Sequence, residues 1–354
     1  MDVSNINILY VCGIDKATSL QRRVALRKLG LSFKVVFYSI KNEKLSLFHK
    51  TWRKVIFRLG FFPERNNENQ KIIDNVNNDY FDLIFIEKGL SIKPSTLRYI
   101  KDRSPNTILL SYTLDDMLNK HNSSYYYKKA IPLYDYHFTN KSYNLDELTN
   151  LGANKVHYFK NSFSSSMHNP IITNSEEKKY YGSDVSFIGF YEINRKESIL
   201  FLAENNIKIK IWGWGENVGK AKLKHKNILN MGKFVYGKEF SKVICSSKIS
   251  LCFLRKANRD LETTRSIEIP ACGGFMLAER TPEHQSLFQE GFEAEYFSSN
   301  QELLEKVKFY LKYESKRDKI AENGRKRCLT SDYSYEKQLS DILKIVFSKG
   351  NRNN

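Results

Sequence analysis

Short apolar runs alternate with stretches of helical periodicity along most of the chain, and glycine or a polar turn separates them. Residues 6–11, Ile-Asn-Ile-Leu-Tyr-Val, read as a buried strand. Cys12-Gly13 turns the chain, and Ser19 caps a helix that runs to Leu29 and is closed by Gly30. Residues 33–38 form the next strand. Strand, glycine turn, helix, strand is the opening of a parallel α/β domain. The alternation continues with strands at 81–86, 107–112, 134–139 and 155–159 and helices at 93–100 and 142–151. Residues 66–78 are Asn-rich and read as a loop running into a helix. A second series has strands at 184–188, 207–212, 249–253 and 275–278, with helices at 195–203 and 239–246. Ser299-Asn-Gln-Glu302 is a capping box that opens a helix to Tyr313. Residues 315–327 form another helix, with Gly324 inside it or at a frayed end, and 335–347 a last one. Between the two series, 161–181 is polar, contains Pro170 and reads as a linker. The expected division is 1–162, 163–330, and a C-terminal helix over 331–354.

Length and composition bound the reading. At 354 residues two domains are expected. No apolar run reaches the ~18 residues of a membrane span, and residues 1–10 lack a basic n-region, so a cytoplasmic protein is expected. The five cysteines are scattered, without metal-binding spacing, and read as reduced buried thiols. The net charge of +18 calls for an anionic partner. No zinc-finger spacing or RNP-type motif favours nucleic acid, and an AT-rich coding sequence would also raise the lysine count. Residues 45–62 place Phe48, Trp52, Val55, Ile56, Leu59 and Phe62 at helical spacing. Lys50, Arg53, Lys54 and Arg58 accompany them, as in a basic helix on a membrane surface or a core-facing helix with solvated lysines.

The densest chemistry lies in residues 258–279. Asp260, Glu262, Arg265 and Glu268 crowd one segment, and Thr263 or Thr264 can cap a helix there. Arg265 and Glu268 share a helix face, and Gly273-Gly274 permits the left-handed turn of a C-cap. A helix N-terminus beside an arginine suits phosphate, and a carboxylate suits vicinal hydroxyls; a surface ion pair is the plainer alternative. Asp115-Asp116 follows a strand, where such a pair does proton work or caps the next helix. Asp15 and Lys16 sit in the loop after the first strand, at the strand ends where such sheets bind ligands. No G-x-G-x-x-G marks a nicotinamide dinucleotide site.

Arg265-Ser-Ile-Glu268, Ala271-Cys-Gly-Gly274, an apolar strand and Phe288-Gln-Glu-Gly-Phe-Glu293 occur in that order. The series resembles the C-terminal signature of GT-B glycosyltransferases and is most similar to the spore-maturation CgeB-like branch of group 1. Asp260 and Glu268 keep the superfamily's spacing of two acids, with Asp in the first place. Asp135-Tyr-His-Phe-Thr139, Leu151-Gly-Ala153 and His168 also resemble family positions.

The resemblance implies two Rossmann-like α/β domains facing a cleft, with the last helix crossing back to the first domain. It implies a nucleotide-diphosphate sugar as donor and no further cofactor. Gly189 and Arg195 would lie by the donor phosphates, Tyr236 by the nucleobase, and Thr264, Arg265, Glu268, Gly273 and Gly274 around the donor. Asp260, Asp15 and Asp115 are the catalytic candidates, with Asp116. No Asp-x-Asp motif sits at a strand end, so metal independence is expected, and the branch leans towards retention of configuration. The acceptor would be a surface glycan or a lipid-linked sugar at the inner face of the plasma membrane, reached through 45–62. Two rivals remain: a sugar-nucleotide 2-epimerase of the same fold, and a basic membrane- or polyanion-binding protein.

Overall fold

Leu9, Val11, Ile84, Ile86 and Leu109 are all buried in one apolar cluster, and the strands that carry them pair in parallel. The computed structural model describes residues 6–13, 18–38, 51–52, 55–57, 60–120, 122–215 and 225–348. The first sheet is built from β1 (Asn7–Cys12), β2 (Ser32–Phe37), β3 (Leu83–Glu87), β4 (Ile108–Thr113), β5 (Tyr136–Thr139) and β6 (Lys155–Tyr158) in the order β2-β1-β3-β4-β5-β6. Its central strand β3 is buried throughout and β4 from Leu109 on, as expected where helices cover both faces of a parallel sheet. Those helices are α1 (Thr18–Lys28), α2 (Glu68–Asn78), α3 (Pro94–Arg103), α4 (Tyr125–Ala130) and α5 (Asn144–Asn150). The edge strands β2 and β6 are more exposed.

The second sheet contains β7 (Ser183–Ile188), β8 (Ile209–Trp212), β9 (Ile228–Asn230), β10 (Ser247–Cys252), β11 (Met276–Glu279) and β12 (Glu295–Phe297), also all parallel. Its order, β12-β11-β10-β7-β8-β9, is that of the Rossmann doubly wound sheet. Around it lie α6 (Ser175–Tyr181), α7 (Ile193–Glu204), α8 (Lys238–Ser246), α9 (Thr264–Ala271), α10 (Pro282–Leu287), α11 (Asn300–Lys312) and α12 (Glu314–Thr330). The last helix is α13 (Tyr335–Phe347).

Contacts divide the chain into two units. Unit 1 gathers the described residues up to Lys160, the tripeptide Ala257–Arg259 and those from Glu336 on; unit 2 holds the remainder. The C-terminal helix thus belongs with the N-terminal sheet. Its Glu336 pairs with Lys28 of α1 at 3.1 Å, and Gln338 accepts from the Tyr112 hydroxyl and donates to the Lys160 carbonyl.

The stretch 161–181 is not all linker: α6 begins there, with Asn174 and Glu177 forming a complete capping box. None of its residues is buried, so no apolar periodicity announced it. Ser299 does cap α11, but Glu302 does not close the box: its carboxylate accepts from the Ser298 N–H and binds Arg280. Asp15 and Lys16 lie outside the described residues, as do Phe48, Lys50, Arg53, Lys54, Arg58 and Leu59 of the basic segment. Of that segment, 51–52 and 55–57 are helical, with Trp52 and Val55 about half exposed. Among the described residues no helix is long and apolar enough to cross a membrane.

Candidate active site at the strand ends of the second sheet

In unit 2 the chain runs from β7 outward through β8 and β9, then returns to β10 and runs the other way. In doubly wound sheets ligands bind outside the carboxyl ends at such a reversal, which here falls between β7 and β10. Gly189 leaves β7 and donates its N–H to the Trp212 carbonyl at 3.0 Å. Gly213 leaves β8 with φ +100°, and a Cβ there would lie 2.7 Å from the Gly189 oxygen. Only glycine lets the two backbones meet so closely at this edge.

Arg195 on α7 is buried, and its guanidinium donates to the carbonyls of Phe190 (2.9 Å), Phe253 (3.3 Å) and Leu254 (3.3 Å). It therefore fastens the loop after β7 to the loop after β10. Burial pulls its pKa down, and Glu192 partly offsets this. The residue expected by the donor phosphates is thus held by main-chain oxygens that shape the edge.

The helix α9 follows from local sequence. The Thr263 hydroxyl accepts from the Arg265 N–H, and the Ser266 hydroxyl accepts from the Thr263 N–H, both at 3.0 Å. The Thr264 N–H, at the first position of the helix, has no acceptor among the described residues. Pro270 cannot donate, and the helix stops one residue later. Gly273, at φ +78°, donates to the Pro270 carbonyl and Gly274 to that of Ile269, which is a Schellman ending. Arg325 of α12 binds the Ala271 carbonyl from outside. Gly273 and Gly274 therefore terminate α9, at the end opposite its first turn.

On the face of α9, Arg265 pairs with Glu268 and lies over the Phe240 ring, 4.7 Å from its centroid. The Glu268 side chain is 1% exposed and that of Arg265 is 27% exposed, so the cation is the more open member of the pair. His168 approaches from the chain ahead of α6, with Nε2 3.6 Å from a Glu268 oxygen. Its Nδ1 accepts the Ser164 N–H at 3.2 Å. In the neutral ring the proton must then sit on Nε2, facing the carboxylate. Burial lowers the His168 pKa, against the pull of Glu268. Arg265, Glu268, His168 and Phe240 thus form one group. Phe240 carries no polar signal in the sequence; its place in the apolar stripe of α8 is the only sign of it.

Asp260 closes the loop ahead of α9: its carboxylate accepts the Arg255 N–H at 3.3 Å and its own N–H donates to the Arg255 carbonyl at 3.2 Å. Tyr236 stacks on Phe234, which packs on Phe190 with centroids 4.8 Å apart. The exposed Phe190 thus joins Tyr236 in an aromatic row along the loops after β7 and β9. Nothing in the sequence singled it out.

In unit 1, Asp115 pairs with Lys88 at 2.5 Å. Asp116 is fully buried and accepts from Arg259 (2.6 Å), Asn144 (3.3 Å) and the Leu118 N–H (3.2 Å). The other nitrogens of Arg259 bind Glu147, each at 2.9 Å. Behind β3, Glu87 is buried with Arg22, Tyr10 and Ser19, a network whose members lie too far apart in the chain for any motif to mark it.

Residues 195–344 match the model of a family described as glycosyl transferase-like. No curated protein matches the sequence. Among solved structures, Anabaena HepE in complex with UDP-glucose aligns at 12% identity with a TM-score of 0.62, over 96% of this chain and all of that one. Sucrose-phosphate synthase from Thermosynechococcus elongatus aligns at 10% identity and TM-score 0.66, over 97% and 100%. A putative UDP-N-acetylglucosamine 2-epimerase from Listeria monocytogenes aligns at 11% identity and TM-score 0.55, over 97% of each chain. The fold is GT-B.

Proposed function

We propose that this chain, a glycosyltransferase of GT-B type, takes its sugar from a nucleotide-diphosphate donor held by unit 2. The observation that carries the reading is the Arg265–Glu268 pair on the first turns of α9, beside the strand reversal. Arg265 offers an accessible planar guanidinium to the diphosphate. Glu268, with His168 behind it, offers acceptor oxygens to the ribose hydroxyls. Arg195, Gly189 and Gly213 shape the edge; the Phe190–Tyr236 row supplies an apolar surface for the base. HepE is described with UDP-glucose, which makes UDP-sugars the first donors to test. Likeness of 258–293 to the CgeB-like branch supports retention of configuration, in which case Asp115 and Asp116 need not act as bases. The acceptor is a surface glycan or lipid-linked sugar, and 45–62 anchors the protein to an anionic membrane face.

Incubation with labelled UDP-sugars and candidate acceptors tests the reading. Transfer that persists in chelator supports it, whereas isomerisation of the sugar without transfer would point to a 2-epimerase. Equal affinity of the wild type for nucleoside di- and monophosphate would sink the role given to Arg265.

A further inference from the structure

The opposite edge of the second sheet has its own cavity. It measures about 720 Å³ and is lined by the starts of β7, β8 and β10 and by the Gly273-Gly274 turn. It lies at the amino ends of the strands, away from the strand reversal and the first turn of α9. Six cations line it against three acids. The acids are already engaged: Asp184 with Lys248 at 2.8 Å, and Glu314 and Asp318 with Arg317 at 3.0 and 3.2 Å. Lys178, Lys208, Lys210 and Lys226 remain, and none has a carboxylate within ion-pair distance among the described residues.

Lys210 is the unusual one. It is 7% exposed, and its ammonium donates to the Tyr180 carbonyl at 2.6 Å and, more weakly, to that of Lys179. Carbonyls satisfy its hydrogens but supply no counter-charge, and a buried cation without one is costly. Burial accordingly lowers its pKa. The Ser183 and Ser247 hydroxyls, 3.3 Å apart, add neutral donors at the same edge, and Ile209 and Phe275 give the wall an apolar part. A cavity of this size is of ligand-binding dimensions, and its basic lining suits an anionic ligand.

We propose that this cavity is a second ligand site that takes a phosphorylated small molecule. The phosphate would meet the four lysines, and the sugar or base would lie against Ile209 and Phe275. The proposal stands apart from the donor reading, since the residues given there to the nucleobase, ribose and diphosphate do not line this cavity. The two share only the Gly273-Gly274 turn that ends α9.

Lysine acylation read by mass spectrometry on the whole protein tests it, with inorganic triphosphate as probe. Triphosphate should protect Lys178, Lys208 and Lys226 at least fivefold and saturably, while Lys71 and Lys308 stay unchanged. The K178Q/K208Q/K226Q variant, altered only at exposed side chains, should lose a class of triphosphate sites in calorimetry. Equal protection of all surface lysines, or none, overturns the proposal. Protection by phosphatidylglycerol vesicles but not by triphosphate would also overturn it, assigning the patch to a lipid headgroup. Either failure leaves the donor site untouched, because Arg265 and Glu268 are read in separate nucleotide titrations.

Discussion

Beyond β4 of unit 1, Asp116 is fully buried and Arg259 bridges it to Glu147. Beyond β10 of unit 2, the cation of the Arg265–Glu268 pair is partly open. Both edges carry an arginine paired with carboxylate, but in unit 1 all three guanidinium nitrogens of Arg259 are hydrogen-bonded, whereas in unit 2 only one nitrogen of Arg265 is, among the described residues. Glycine differs as well. In unit 1, a Cβ at Gly30 or Gly60 would meet nothing within 4 Å, and the nearest atom at Gly89 is a side-chain hydroxyl. In unit 2, a Cβ at Gly182, Gly213 or Gly324 would fall within 3.0 Å of a backbone carbonyl oxygen. Both sheets are parallel, but in unit 2 backbone segments meet closely at these three glycines. A charge near a strand end is thus weak evidence of function by itself; what matters is how much of its hydrogen-bonding capacity its partners leave open.

Four measurements test this contrast. The largest effect is expected at Gly324, whose Cβ would lie 2.4 Å from the Glu293 carbonyl oxygen. Gly324→Val should lower the stability of unit 2 by about 3 kcal/mol, read in urea by the fluorescence of the buried Trp212 and Trp214. A change below about 1 kcal/mol would show that this contact yields and that the glycine contrast is not energetic. Next comes a likeness between the units. His137 and His284 are each pushed down to about 4 by burial. An unfolded histidine takes a proton below about pH 6.5 that the folded one resists. Their stabilisation is therefore complete above pH 6.5 and lost as pH falls from there towards 4, by roughly 2 kcal/mol each at pH 5. Urea titrations at pH 7.5 and 5 should show it in both units, and His284→Gln should flatten it in unit 2 alone.

The third measurement separates the two acids. Glu268→Ala should weaken nucleoside-diphosphate binding by roughly tenfold or more, since a charge-assisted bond contributes ~1.5–3 kcal/mol. Asp116→Asn should leave that affinity unchanged and reduce stability instead. Calorimetry on folded protein showing the reverse pattern would exchange their roles. The smallest effect is the control: Lys337→Ala removes an exposed pair with Asp341 and should alter stability by less than about 0.5 kcal/mol.

Much of the fold was legible because buried parallel strands write themselves as continuous apolar runs, and α13 was read to the residue. What escaped had no period to read: α6 buries nothing, and α4 spans only Tyr125–Ala130. At the candidate site, Thr263, Arg265, Glu268 and Gly273 lie within one helix and its caps, so spacing alone brought them together. His168 and Phe240 reach the same place from distant segments, and no local rule joins them to Glu268. The occupation of Arg195 by three carbonyls was invisible for the same reason, since the acceptors belong to loops whose paths depend on the folded sheet.

Unit 1 comes first along the chain but needs a helix from beyond unit 2. Leu339, Ile342, Leu343, Val346 and Phe347 of α13 are buried, and α13 from Glu336 on belongs to unit 1. At ~5–20 residues per second, the ribosome reaches that helix roughly ten to thirty-five seconds after finishing Lys160. For that interval the first sheet exists without its final cover. Unit 2, save for its tripeptide gap, is continuous and ends at Tyr335, ahead of the part of that helix that unit 1 needs. The half of the protein made first is therefore the half completed last, and a nascent chain stalled before residue 335 would present a chaperone with the apolar surface that α13 normally hides.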